Sequence, residues 1–295
     1  MRKSIVTVIA IISSCLLPPY AQGGATPDRI ISLAPNITEI LFALELGTHV
    51  VGVTNFCDYP GEARKKPKIG GMSNPSLEAV ISQDPDIVVM TTDGNQKEFE
   101  EQLRSLKIKT YVFKARRIHE LPQGIRDLGH ALGVNERANV LAGEIETSLR
   151  AFEARGLDLS SLPHPPPGTA RVKDRKTKVI FIIWPEPLIV AGPGTVIHDI
   201  ITLLRCNNIA SRSRGAYPKY SLEDIIRQEP DFIFIGKGHE NVREISQGLL
   251  KKISTVPAVR NGSVCFVSDA LYRLGPRIVR GIEEMEECIR SKSLQ

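Results

Sequence analysis

The sequence predicts an α/β protein of two lobes, each built on a mostly parallel sheet and joined by one long helix. Three observations carry this. Short β-branched apolar runs alternate with helix-patterned stretches through both halves of the chain, the spacing that right-handed crossovers between parallel strands require. One fifteen-residue phrase is written twice, SLEAVISQDPDIVVM at residues 76–90 and SLEDIIRQEPDFIFI at residues 221–235, with seven identities at corresponding places. Between the copies, residues 135–159 repeat apolar side chains at helical spacing, interrupted only by Gly143 and Gly156.

Taken in order, residues 1–23 hold Arg2 and Lys3, an apolar run over residues 5–17, then Pro and small residues. That is the grammar of a secretory signal peptide, so an exported chain beginning near Gly23 or Gly24 is expected. The apolar run is too short for a comfortable membrane span, which needs ~20 residues. A second reading takes the segment ISSC, ending at Cys15, as a weak lipobox that would leave a lipid anchor on Cys15; the apolar LLPPY after it is unusual at such a site.

The N-terminal lobe, residues 24–134, offers strand-like runs at 29–34, 50–54, 86–90 and 110–115, separated by helical patterns at 37–46, 76–84, 96–106 and 124–132. Residues 135–159 then read as the bridging helix. At ~1.5 Å per residue such a helix spans roughly 30 Å, about the width of a small domain. Residues 160–177, rich in Pro and charge, read as an exposed connector. The C-terminal lobe, residues 178–295, repeats the theme with strands at 178–183, 187–192, 231–236 and 264–269 and helices at 195–205, 221–229, 243–253 and 276–289.

The repeated phrase can be parsed residue by residue. Ser76 and Ser221 are N-cap candidates, and Glu78 and Glu223 fall in the first turn, where the helix dipole favours negative charge. Pro85 and Pro230 end each helix and launch a strand. A helix-turn-strand unit reused by chance is one reading; seven identities at matching places favour duplication or pseudo-symmetric use.

Composition excludes several classes. The chain is 42% hydrophobic and 24% charged, an ordinary globular balance. Its net charge of +5 is interleaved with acids, which argues against a nucleic-acid footprint. It contains no phosphate-binding loop, complete dinucleotide fingerprint, nucleophile elbow or H-E-x-x-H pair. The six histidines are scattered, and His198 in TVIHDII reads as a packed helix residue, so no metal site and no cofactor is expected. With Cys15 removed, Cys57, Cys206, Cys265 and Cys288 remain, and no C-x-x-C occurs. Export permits a disulfide, and a bridge from Cys206 to Cys288 would staple the last helix to its own lobe; free buried thiols are the alternative.

A series of blocks runs in order across the mature chain: RIISLAPNITEILFALELG, VVGVTNFCDYP, the two repeated phrases flanking WPEPLIVAGPGTVIHDIITLL and NNIA, and finally LYRLGPRIVRGIEEM. In these blocks the chain resembles the periplasmic binding proteins that feed ABC importers for vitamin B12, haem and ferric siderophores, the class with a long connecting helix. The resemblance implies a monomeric carrier with a ligand cleft between its lobes, where open α/β sheets present the loops after their strands. It implies that Glu78 and Glu223 dock onto arginines of the importer's permease dimer, one acid from each lobe. Matching blocks nominate Asn36, Tyr59, Met72, Trp184, Tyr217, Asp269 and Arg273 as cleft walls, aromatic faces for a planar macrocycle and charges for its substituents. The implied cargo is cobalamin or a related corrinoid, with a ferric siderophore or haem as the alternative within the class. Met72 and Thr91 stand where cobalamin carriers often offer tryptophan, and Tyr217 where Trp is common, so the aromatic cage is thinner here. An exported α/β enzyme using Asp269, Arg273 and a histidine is the rival from another class.

Overall fold

The computed structural model describes residues 26–156, 176–238 and 241–292. In the first lobe, strands β1 (Ile30–Ser32), β2 (Val50–Val53), β3 (Ile87–Thr91) and β4 (Thr110–Phe113) form an all-parallel sheet in the order β2-β1-β3-β4. Helices α1 (Pro35–Ala43), α2 (Leu77–Ser82) and α3 (Lys97–Ser105) lie in the three crossovers, and α4 (Leu121–Ala131) follows β4. The inner strands β1 and β3 are buried along their whole length, as a sheet covered on both faces demands. Alternate residues serve different cores: Ile30 and Val89 pack with the apolar faces of α1 and α4, and Ile31, Val88 and Met90 pack with Val80, Phe99 and Leu103 of α2 and α3.

Helix α5 (Asn135–Arg155) comes next and lays Ala138, Ala142, Ile145, Leu149 and Phe152 inward. Its contact with α4 is close enough that a Cβ on Gly129 would stand 2.1 Å from the Cβ of Ala138, so only glycine fits there. Arg126 and Glu146 bind side by side at 2.8 and 3.0 Å across the same pair of helices. At its far end α5 meets the second lobe, where Arg155 donates to Glu286 at 2.7 and 3.1 Å and Arg205 donates to the Glu153 carbonyl at 3.2 Å. Gly156, at φ 51°, ends the helix. The signal segment, most of the expected connector and Cys15 lie outside the described residues.

The second lobe contains β5 (Lys178–Pro185), β6 (Leu188–Val190), α6 (Val196–Leu203), β7 (Asn207–Asn208), α7 (Leu222–Gln228), β8 (Phe232–Gly236), α8 (Val242–Lys252), α9 (Pro257–Arg260), β9 (Val264–Val267) and α10 (Ile278–Lys292). The sheet order is β6-β5-β8-β9, with β7 also pairing with β5. All pairs are parallel except β5 with β6; only Glu186 and Pro187 separate those two strands, and so short a link allows only a hairpin.

The duplicated phrase plays the same part in both lobes. Each helix is capped by its serine, Ser76 accepting from the Ala79 amide at 3.2 Å and Ser221 from the Asp224 amide at 2.9 Å. Each then turns through an acidic residue at positive φ, Asp84 at 43° and Glu229 at 50°, directly before its proline. The next aspartate accepts amides at the start of the lobe's first strand: Asp86 from Asp28 and Arg29, both at 2.9 Å, and Asp231 from Lys178 at 2.8 Å. A basic side chain from that strand start returns to the helix's C-terminal carbonyls, Arg29 to Gln83 and Asp84 and Lys178 to Gln228, where a cation complements the dipole. The identities thus have a shared structural cause, a helix bolted to the root of its sheet.

The expected Cys206–Cys288 bridge is incorrect. Cys288 of α10 pairs with Cys265 of β9, Cα to Cα 6.5 Å, because α10 packs on β9. Cys206 precedes β7 on the far side of β5 and β8, three strand spacings of ~4.8 Å from β9, beyond the reach of a disulfide. It remains a buried free thiol, as does Cys57. Desolvation, with a smaller contribution from Asp231, pushes the Cys206 thiol up to about 12.

Candidate functional site

The C-terminal ends of the parallel strands in both lobes open onto a common seam, the place where open α/β sheets present their loops. From the first lobe, Asn36 lies just after β1, Thr91 and Asp93 at the end of β3, and Arg116 after β4; Met72 reaches in from the segment before α2. From the second lobe come Thr195 at the N-cap of α6, Tyr217 before α7, and Tyr272 and Arg273 after β9. Together they line a cavity of about 210 Å³.

Tyr217 faces Asp93 and Arg116 across the seam: burial, and secondarily the Asp93 charge, raise its pKa while Arg116 partly offsets them. Tyr272 is pushed up to about 12 by burial and by Asp269, so both phenols stay neutral and present aromatic faces with hydroxyl donors. Thr195 caps α6 by accepting from the His198 amide at 3.1 Å, and its own hydroxyl donates to the Gly192 carbonyl at 2.8 Å.

The lobes are tied beside this cavity by two ionic clusters. In one, Asp199 of α6, nearly buried, accepts from Arg117 Nε at 2.7 Å, from the other arm of the same guanidinium, and from the Ile118 amide at 3.2 Å. In the other, Arg273 reaches Asp269 at 2.7 Å within its own lobe and Glu39 at 3.2 Å and Asp58 at 2.7 Å across the seam. Arg277 joins it, donating to Glu39 at 2.6 and 3.0 Å and to Asp269 at 3.2 Å. Burial alone would depress the Arg273 guanidinium, but the Asp58 hydrogen bond and the surrounding carboxylates outweigh it and raise its pKa. The Asn36 amide adds a neutral tie to the Leu274 carbonyl at 3.3 Å.

The sequence-nominated walls divide accordingly. Asn36, Met72, Tyr217 and Arg273 line the cavity. Tyr59 lies instead in a second, outer groove of about 600 Å³ along α1 and α10, its ring 4.1 Å from the Arg277 guanidinium. Trp184 is not among the cavity's lining residues and sits near the turn of the β5–β6 hairpin, where its indole donates to the Glu186 carbonyl at 2.6 Å. Asp269 is engaged by both arginines rather than lining the wall. Residues that sequence reasoning missed are Glu39, Asp58, Asp93, Arg116, Tyr272 and Arg277. Two had a signal: Asp58 adjoins Tyr59 in CDYP, and Arg277 is the second arginine of RLGPR.

Glu78 and Glu223 are exposed in the first turns of α2 and α7. Neither has an ion-pair partner among the described residues.

A family model for periplasmic binding proteins matches residues 30–271. The chain belongs to that family. This binding protein is 25% identical over 261 residues to a vitamin B12-binding protein of Pectobacterium atrosepticum, with 88% of each chain covered. It is 29% identical to an ABC transporter substrate-binding lipoprotein of Bacillus subtilis, over 89% of this chain and 80% of the relative. Among solved structures it resembles a periplasmic haem-binding protein from Roseiflexus in its apo form, with a TM-score of 0.78 at 26% identity, covering 92% of this chain and all of the other. Members of the family are exported substrate-binding proteins of transporters, which sets aside the exported-enzyme alternative.

Proposed function

We propose that this binding protein captures cobalamin or a related corrinoid in the interlobe cavity and delivers it to the permease of an ABC importer. The observation that carries the reading is a wall drawn from both lobes: Met72 and Asn36 from the first and the aromatic Tyr217 and Tyr272 from the second offer surfaces for a flat macrocycle, among polar groups such as Thr91, Asp93, Arg116, Thr195 and Arg273 that can hold its substituents. The B12-binding relative, aligned over 88% of both chains, supports it. The chelate is cargo; no resident cofactor takes part.

A haem or ferric-siderophore cargo is the second reading. Arg116 favours it, since this cavity-lining guanidinium has no carboxylate partner among the described residues and suits the carboxylate edge of such a ligand. The haem-binding relative supports it too. Calorimetric titration with cyanocobalamin, cobinamide, haemin and ferric siderophores decides between them. Corrinoid binding alone is expected; tight binding of an iron chelate with silence from both corrinoids ends the B12 reading.

Glu78 and Glu223 serve as docking acids for the permease dimer. Two exposed carboxylates, one per lobe, orient a complex and speed its formation. Reversing both charges should abolish uptake and leave cargo affinity intact. The carrier acts as a monomer in the periplasm, with residues 1–23 as its signal peptide; mass spectrometry of the mature N-terminus tests this against a lipid on Cys15.

A further inference from the structure

We propose that Ile81 and Ile226 are apolar anchors of the permease interface, each seated beside its docking acid in a matching hollow on one subunit of the permease dimer. The inference rests on the docking role of Glu78 and Glu223 and adds the part of the contact that charge does not supply. Ile81 is 45% exposed and Ile226 42%, and neither packs into any of the three core clusters. A single exposed isoleucine is ordinary on a protein surface. These two hold the same place, sixth in each copy of the repeated phrase. Other large apolar side chains as exposed, such as Leu106 and Val140, lie outside the phrase.

Four positions of the phrase are exposed in both copies. Two differ, Ser82 against Arg227 and Asp84 against Glu229; the two that match are the glutamate and the isoleucine. The matched Ser, Leu and Asp serve the fold itself, as helix caps, core contacts and acceptors at the strand roots. The glutamate and isoleucine have no such part among the described residues. Helical geometry sets them side by side. In α2, Leu77 and Val80 turn into the core, and Glu78 and Ile81, three residues apart, share an outer face; in α7, Leu222 and Ile225 turn in, and Glu223 and Ile226 share the outer one. Residues at that spacing stand ~5–6 Å apart at Cβ. Arg227 leaves Glu223 free because Asp224 holds it. The chain thus presents one unit, a carboxylate beside a branched apolar side chain, twice. A partner of two like subunits, each offering a cation next to an apolar hollow, fits both units at once.

Binding of the mature protein to the importer of its source organism, reconstituted in nanodiscs, tests the anchors. Ile81→Ala and Ile226→Ala should each weaken association about fivefold, and the double variant about 25-fold, through apolar area left in water. That ratio to wild type should hold as salt rises, whereas the loss caused by Glu78→Arg with Glu223→Arg should shrink. Leu106→Ala and Val140→Ala should bind as wild type does. The isoleucine truncations should also leave the urea midpoint unchanged; a drop would make these side chains packing residues and overturn the proposal. Wild-type affinity in the double isoleucine variant, with charge reversal still disabling, would overturn the anchors and leave the docking acids standing. If both sets of variants bind as wild type, docking through these helices fails and the anchors fall with it. A dimer of the free protein in sedimentation, dissolved by the two alanine changes, would show a second copy covering the patches and overturn the permease assignment.

Discussion

Asp199 offers the sharpest test of how the lobes are held. Its carboxylate is 6% exposed and accepts from both arms of Arg117 and from the amide of buried Ile118. Asp199→Ala removes all three bonds. Arg117 is 39% exposed, so solvent screens its half of the loss, and the pair contributes about 1 kcal/mol. The Ile118 amide is left buried without an acceptor, a further ~1–3 kcal/mol. The total is near 3 kcal/mol, about 1 M in a urea midpoint at a slope of ~3 kcal/mol/M. Asp199→Asn keeps an acceptor for Ile118 and loses only the charge, so its cost should be near 1 kcal/mol. Equilibrium urea unfolding of both variants, with Arg117→Ala to complete a double-mutant cycle, measures these terms. An alanine variant within ~0.5 kcal/mol of wild type, or an asparagine variant as unstable as alanine, would refute the assignment of energy to this seam.

Other consequences are simpler to check. Gly129→Val should lower the melting temperature by several degrees, because even a first carbon meets Ala138 at 2.1 Å and overpacking costs about 1–3 kcal/mol; Gly129→Ser should fall in the same direction by less. Burial favours the protonated form of Asp58, but the hydrogen bond and charge of Arg273 outweigh it and hold the carboxyl below its ordinary 3.8. The stability that this pair adds is complete above the ordinary value and is lost as pH falls through the depressed one. The difference between wild type and Asp58→Asn in urea titrations should therefore be constant from pH 7 to 5 and shrink below about pH 4. Cys57 and Cys206, buried and, for Cys206, pushed up to about 12 by desolvation, should react with a thiol reagent such as DTNB only after unfolding; rapid labelling of the native protein would contradict their burial.

Much of the fold is readable in the sequence because local pattern and tertiary role agree. After their charged first residues, the runs KVIFII and DFIFIG are apolar on both faces because β5 and β8 face a core on each side. The paired phrase marks its own helix boundaries through Ser76, Ser221, Pro85 and Pro230. The features that sequence pattern hides depend on contacts between residues far apart in the chain. Glu39 follows Asn36 and Thr38 in α1 and reads as one more polar position, yet two arginines more than two hundred residues away close over it. The Cys265–Cys288 pairing is decided by which helix covers which strand, and spacing alone leaves the three connectivities of four cysteines equal. Block order assigns Tyr59 and Trp184 to the cavity, whereas one ring lies beside the Arg277 guanidinium in the outer groove and the other's indole is tied to Glu186 at the hairpin turn.

The anchoring of α2 and α7 at the roots of β1 and β5 has a consequence for how such a molecule can change. The amides that Asp86 and Asp231 accept belong to the opening residues of those strands, whereas the cavity is made from loops beyond the strands' far ends. Substitutions that retailor the pocket for a new guest leave the mounts of Glu78 and Glu223 untouched. One chassis can thus change the guest it holds and keep both acids where they stand.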